Sequence, residues 1–245
     1  MKEAGTLVIV DATDGAGKYT VIKALGEKLA AQGLRLFNLS EYSKREQRLP
    51  TIDEPDICDA DVLISSEPTF CWIGAAIREE IVHIHAGRGY QARAAAEAFA
   101  LDRQVLFTRV VIPFLQARPG RIVLQERGVI SSLAYQPLQD SSVTIPWMLS
   151  LEGNRAELAR PPDLLLLLRI SPEEALRRAG GRMDKVDGHI YEELSFQQRL
   201  AERYHDPEVL APYVQAGTKI VELDASVTPE EVGRSACNAL HYLHL

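Results

Sequence analysis

The chain has 245 residues, 46% of them hydrophobic and 25% charged, and carries a net charge of −7. That length suits one α/β core. The acidic balance argues against a nucleic-acid partner, which usually calls for a basic face, yet leaves room for a small anion held by local N–H groups and arginines.

Cys58, Cys71 and Cys237 form no CxxC pair, no apolar run approaches the roughly 20 residues of a membrane span, and the first apolar run meets Asp11 too soon for a signal peptide. The expectation is a reduced, soluble, cytoplasmic protein with no membrane partner. Thr6 to Val10 is a short run with β-branched residues and reads as a buried strand of a parallel sheet. Asp11 to Gly17 is a glycine-bearing turn. Lys18 to Gln32 has helical spacing, with Val21, Ile22, Leu25 and Leu29 on one side and Gly33 as its stop. Leu34 to Leu39 reads as the second strand. Residues 40–61 crowd Asp53, Glu54, Asp56, Asp59 and Asp61 together and read as an acidic insertion or long loop, a solvated one in preference to a metal or partner site.

Val62 to Ile64 is strand-like and leads into Ser65-Ser66-Glu67-Pro68-Thr69. Ile73 to Ile84 has helical spacing, and Ala92 to Ala117 is a long helical pattern that Pro113 kinks or splits. Ile122 to Leu124 is a strand with Glu126-Arg127 at its end, and Leu164 to Leu168 is another. Ser171-Pro172-Glu173-Glu174 and Thr228-Pro229-Glu230-Glu231 each carry a cap, a first-turn proline and the glutamate of a capping box. His189 to His205 is helical, and Lys219 to Leu223 is a last strand. The alternation predicts an α/β fold, with a parallel sheet covered by helices on both faces in one domain over residues 1–245. Ligands in such folds sit at the carboxyl ends of strands, where residues 11–20, 65–69 and 126–127 fall.

The turn Asp11-Ala12-Thr13-Asp14-Gly15-Ala16-Gly17-Lys18-Tyr19-Thr20 follows the phosphate-binding pattern GxxxxGK[ST] at Gly17 and Lys18. Successive N–H groups in such a loop cradle phosphate oxygens, the helix end adds partial positive charge, and the lysine neutralises the β- and γ-phosphates. The chain therefore fits a three-layer P-loop NTPase fold that binds ATP with Mg²⁺. Two positions deviate. Ala12 replaces the first glycine, at a cost of about 1 kcal/mol if that position needs a positive φ. Tyr19 replaces the serine or threonine that holds Mg²⁺, and a phenol oxygen lies too far from its backbone to substitute, leaving Thr20 one residue on.

Asp14-Gly15-Ala16-Gly17-Lys18 resembles the DGAGK loop of thymidylate kinases, a family of nucleoside-monophosphate kinases. Glu67-Pro68-Thr69, then Ile73-Gly74 and Ile77-Arg78-Glu79, is similar to that family's REPxxxxIGxxIRE segment. Phe99-Ala100-Leu101-Asp102-Arg103 resembles FAADR, and Glu126-Arg127 with Ser131 to Gln136 resembles DRYxxSSxAYQ. The resemblance spans about residues 5–235, with 40–61 as the main unmatched insert.

The resemblance implies transfer of the ATP γ-phosphoryl to a nucleoside monophosphate, dTMP first, by a homodimer. It implies that Ala12, Thr13, Asp14, Gly15, Ala16, Gly17, Lys18, Tyr19 and Thr20 face ATP, with Asp224 and Ala225 near adenine. Asp14 would meet the acceptor sugar, Glu67 the acceptor or a metal-bound water, Arg78 the base, and Arg103 the acceptor phosphate. Phe70, Tyr135 and Gln136 would line the acceptor site. Glu126, with Thr20, would serve Mg²⁺, and Arg127 would clamp phosphate. Arg177, Arg178 and Arg182 would supply transition-state charge from a lid over about 177–188, because the phosphate loop has no arginine of its own.

Each of these residues also has a structural reading. Arg78 fits a surface ion pair, Glu126-Arg127 a structural pair, and Phe70 simple packing. Ser66, Val105 and Gly128 depart from the family pattern, and Val105 stands where a polar residue would meet the pyrimidine. Two rival functions follow, a deoxynucleoside kinase on the same fold and a degenerate homologue that binds nucleotide in a regulatory or scaffold role.

Overall fold

In the computed structural model, which describes residues 5–83, 89–180 and 194–243, strand β1 (Thr6–Asp11) runs through the middle of a parallel sheet. The sheet has the order β2-β3-β4-β1-β5-β6, with β2 Leu36–Asn38, β3 Val62–Ser66, β4 Ile122–Glu126, β5 Leu164–Arg169 and β6 Lys219–Asp224. Because side chains alternate along a strand, Val8 and Val10 face one layer and Leu7 and Ile9 the other. The first layer holds α1 (Lys18–Ala31), through Val21, Ile22, Leu25 and Leu29, and α13 (Pro229–Ala239), through Val232 and Ala236.

The opposite layer takes Leu106 of α5 (Ala92–Leu106), Phe114 of α6 (Ile112–Ala117), Leu133 of α7 (Val129–Gln139), Met148 of α8 (Ile145–Ser150), Leu200 of α11 (Leu194–Arg203) and Val209 of α12 (Pro207–Gln215). The short helix α9 (Glu152–Ala159) packs there as well. This is the expected three-layer α/β arrangement. The register sets the site, since Ser66, Glu126 and Val10 lie side by side across β3, β4 and β1. Their strands therefore deliver residues 11, 67 and 127 to one edge of the sheet.

The segment read as an acidic loop is partly helical, with α2 (Leu39–Glu46) and α3 (Pro55–Cys58). Asn38 caps α2 by accepting from the Glu41 N–H at 3.1 Å, and Leu39, Tyr42, Leu49 and Ile57 are buried in the core. Asp53, Asp56 and Asp59 are exposed, as in a solvated segment, whereas Glu54 acts as a latch. Glu54 accepts from Arg48 at 2.7 and 2.9 Å, from the Tyr42 hydroxyl at 2.7 Å and from the Thr51 N–H at 2.8 Å. Those contacts, Arg48 first, pull its carboxyl down to about 2.

The long 92–117 segment is not split at Pro113. It passes from α5 through a π-helical turn, Phe107–Val111, into α6. Pro113 follows directly on that π-helical turn, where the regular i→i−4 ladder that a proline interrupts is already broken. The helix read over 73–84 appears as α4 (Trp72–Ile77) followed by a π-helical turn, Arg78–Val82. Helix α10 (Pro172–Gly180) starts where the capping pattern places it, with the Ser171 hydroxyl accepting from the Glu174 N–H at 3.2 Å. Thr228 and Glu231 form the full capping box of α13.

Candidate active site at the carboxyl ends of the strands

The turn from β1 to α1 is made possible by two left-handed glycines, Gly15 at φ 80° and Gly17 at φ 92°. Ala12 does not take a positive φ, so alanine at the first motif position carries no left-handed strain. Among the described residues, the N–H groups of Gly15, Ala16 and Gly17 have no hydrogen-bond acceptor. Three adjacent free donors at the head of a 14-residue helix form a concave nest for an anion.

Lys18 is 5% exposed, and its ammonium donates to the Ala12 carbonyl at 3.1 Å and the Thr13 carbonyl at 2.9 Å. Burial, and then the charge of Arg127, holds its pKa below the usual lysine range, against the pull of Asp14 at 3.6 Å. The Tyr19 ring is 63% exposed and stands in solvent. Thr20 is half-buried, and its hydroxyl makes no hydrogen bond among the described residues.

Beyond β4 the chain bends sharply. Arg127 takes φ 69° and donates its N–H to the Val10 carbonyl at 3.0 Å. Its guanidinium pairs with Asp14 and reaches the Ser131 hydroxyl at 3.2 Å. Tyr135 donates to the other Asp14 oxygen at 3.2 Å. Beneath them Asp11 is fully buried and accepts from the Ala12 N–H at 2.8 Å, the Gly128 N–H at 3.1 Å, the Ser131 hydroxyl at 2.8 Å and the Tyr204 hydroxyl at 2.9 Å. Glu126, one residue before Arg127, is half-buried, and its carboxylate has no hydrogen-bond or ion-pair partner among the described residues.

Behind this rim lies a sealed charge cluster. Arg103 is 1% exposed. Its guanidinium meets Glu67 at 2.6 Å and Glu157 at 3.5 Å, donates to Asn154, and reaches the Ser132 hydroxyl at 3.4 Å. Burial, opposed by Arg103, pushes the Glu67 carboxyl up to about 8, and burial also raises Glu157. Two carboxylates around one guanidinium in a dry setting favour keeping a proton on the pair. Gln125 joins the cluster to the rim, donating to Glu67 at 3.0 Å and to the Arg127 carbonyl at 3.0 Å.

Arg78 is turned onto the Glu67-Pro68-Thr69 turn, donating to the carbonyls of Pro68 and Thr69 at 3.1 Å. Its guanidinium lies 3.7 Å from the Phe70 ring centroid, and burial, then Arg127, lowers its pKa to about 10. Lys44 of α2 lies 5.9 Å from the same ring. Gln136 is buried, and its Oε1 has no partner among the described residues. Of the residues expected in a lid, Arg177 is 72% exposed and held by Glu174 at 2.6 Å. Arg178 pairs with Glu174 at 2.7 Å and donates to the Ala225 carbonyl at 2.9 Å. The structure therefore ties Arg178 to the turn after β6, where Asp224 accepts from the Ser226 N–H at 2.9 Å. Arg182 lies outside the described residues. Helix α10 abuts the phosphate loop, because a β-carbon on Gly15 would collide with the Ala175 carbonyl.

A family model for thymidylate kinase matches residues 56–235, most of the chain. The chain belongs to the thymidylate kinase family. It is 30% identical over 187 residues to a probable thymidylate kinase of Pyrococcus abyssi, covering 75% of each protein. It is 29% identical over 237 residues to the thymidylate kinase of Pelotomaculum thermopropionicum, covering 93% of this chain and 94% of the relative. The thymidylate kinase of Halalkalibacterium halodurans is 27% identical over 229 residues, covering 93% and 92%. As a thymidylate kinase family member the chain is a phosphotransferase.

The family match begins at residue 56, beyond the phosphate loop, so the loop is read on its own geometry. Sequence patterns gave no role to Asp11, Asn154, Glu157 or Tyr213. Asp11 was visible as a charged residue closing an apolar strand. Asn154 and Glu157, three apart, share one helix face, but nothing in the sequence said that face is buried. No helix of the described residues is long and apolar enough to cross a membrane.

Proposed function

We propose that this member of the family transfers the γ-phosphoryl of ATP to a nucleoside monophosphate, with dTMP as the first acceptor to test. The observation that carries the reading is the run of free N–H groups at Gly15, Ala16 and Gly17, with Lys18 drawn in beside them. Relatives named as thymidylate kinases, matched over more than nine-tenths of both chains, support the acceptor. In this reading the N–H groups and Lys18 hold the triphosphate. The acceptor's phosphate oxygen attacks the γ-phosphorus in line as the bridging oxygen departs with ADP. No covalent enzyme intermediate is needed, because catalysis is positioning and charge neutralisation.

Arg127 takes the phosphate-gripping role on this reading. Arg103, expected to grip the acceptor phosphate, is enclosed by Glu67, Glu157 and Asn154, and is read as the support of the pocket. The case for a phosphate acceptor over a nucleoside therefore rests on the relatives matched along the chain, with Arg127 beside Asp14 as the cation that would meet the phosphate. The free Oε1 of Gln136 is an acceptor waiting for an N–H donor of the nucleobase, with Tyr135 against the sugar side. Phe70 is read as a packing residue under Arg78. Arg178, held on the Ala225 carbonyl, is read with Asp224 and Ala225 as part of the adenine end, and the lid charge is assigned to Arg177 and Arg182.

Mg²⁺ usually takes one or two carboxylates and completes its shell with phosphates and water. The free carboxylate of Glu126 fits that demand, and the unbonded hydroxyl of Thr20 is the second candidate, whereas the oxygens of Asp11 are already filled by four donors. When bound, the ion would neutralise phosphate charge. Residues 1–245 are taken as one cytoplasmic domain, and a homodimer is the assembly proposed, which sedimentation tests. A coupled ATP/ADP assay over a panel of monophosphates, with thymidine alongside, tests the activity. Turnover of dTMP in preference to thymidine is expected; a folded protein that turns over no monophosphate would sink the reading.

A further inference from the structure

Glu157 is wholly buried, and three groups converge on it. Helix α7 begins after Gly128, which has no side chain to cap it. Glu157 does so from α9, accepting from the Val129 N–H at 2.9 Å. Its other oxygen accepts from the Tyr213 hydroxyl at 2.9 Å, and the Arg103 guanidinium stands 3.5 Å away. From the opposite side of the same bend, Asp11 accepts from the Gly128 N–H at 3.1 Å.

Two buried carboxylates thus grip consecutive N–H groups from either side. The residue just before them, Arg127, is held at φ 69°. A left-handed conformation is strained for a non-glycine residue, and it persists where the surroundings over-determine it. There is also a steric side. A β-carbon at position 128 would lie 2.8 Å from one Glu157 oxygen and 3.0 Å from the other. Glycine at 128, a departure from the family pattern, is the space that this glutamate occupies.

We propose that Glu157 is a positioning residue: by holding the Gly128–Val129 bend against Asp11, it keeps Arg127 in its left-handed state and aims the guanidinium at the phosphate loop. The proposal rests on reading Arg127 as the phosphate-facing arginine. It makes Gly128 and Glu157 a matched pair. Alanine at 128 must push the carboxylate off the bend, so Gly128→Ala and Glu157→Ala should disturb Arg127 in the same way.

The test joins crystal structures of both variants to acceptor kinetics. In each, Arg127 is expected to return to a negative φ and leave Asp14. The kcat/KM for dTMP should fall about 100-fold, as for a misplaced reacting group, while calorimetric affinity for a non-hydrolysable ATP analogue stays at the parent value. In an Arg127→Ala background, Glu157→Ala should add no further loss, because the arm it aims is already gone. Losses that multiply in the double variant, or Arg127 still left-handed on Asp14 in either structure, overturn the proposal. If Glu157→Ala does not fold, Gly128→Ala decides the question by itself. If Arg127→Ala alone leaves dTMP turnover intact, the functional reading of Arg127 fails, and the crystal structures still decide what Glu157 holds.

Discussion

The phosphate loop and the cluster behind it solve the problem of holding charge in opposite ways. Gly15, Ala16 and Gly17 offer backbone N–H groups, so the anion site is made of atoms that every residue possesses. Glu67, Arg103, Asn154 and Glu157 offer side chains, each buried to within 4% of full enclosure. A backbone site tolerates substitution where the side chain points away, which is why Ala12 and Tyr19 can stand in the motif. A side-chain site loses stability with each member removed, because each leaves its neighbours unpaired in a dry setting.

The sharpest break of that contrast is Lys18→Met. Lysine is the one side chain the loop depends on for charge, and its loss should lower kcat about 1,000-fold while the protein stays folded, as for removal of one transition-state charge contact. Steady-state kinetics with a thermal melt read both; a small kinetic effect would show that the backbone alone suffices. Arg103→Met is the mirror case. It strands two buried carboxylates, and denaturant titration should show a loss of about 3–5 kcal/mol, the usual cost of breaking a buried pair from one side. Unchanged stability would mean that the cluster is not the support it is taken to be.

Tyr19→Thr probes the tolerant side and should raise kcat about tenfold, the low end of the range for restoring a metal contact. A rate that does not move would mean that position 19 never served the cation. The smallest effect concerns pH. Glu54 is held at about 2 against its ordinary 4.5, so its latch stabilises the 47–59 segment above pH 4.5 and is lost as pH falls through 2. Protection factors against hydrogen exchange at these residues should fall in that window, and Glu54→Gln should remove that fall. Protection that stays constant across that window would assign the latch no weight.

Much of this was legible in the sequence because it depends on local rules. The strand, glycine turn and helix at residues 6–31 follow from apolar patterning and two glycines. The caps at Ser171 and Thr228 follow from hydroxyl and glutamate three apart. What was not legible depends on contacts far apart in the chain. Arg103 and Glu157 are 54 positions distant, and an arginine on a helix reads equally well as a phosphate grip or as a solvated face until its neighbours are known. The acidic segment misled for a related reason. Its carboxylates are counted by composition, but their arginine, tyrosine and backbone partners are supplied by folding. Gly128 was legible as a departure and illegible as a fit, since the carboxylate it accommodates sits on another helix.

The π-helical turn at Phe107–Val111 has a consequence for how this chain can change. A turn that takes in one extra residue offsets the following side chains by about 100° from an uninterrupted α-helix. The stretch carrying Asp102 and Arg103 and the stretch carrying Phe114 and Leu115 are thereby phased independently, like two gears on one shaft with a slipped tooth between them. An unbroken α-helix would turn one of the two pairs off its buried face by that angle.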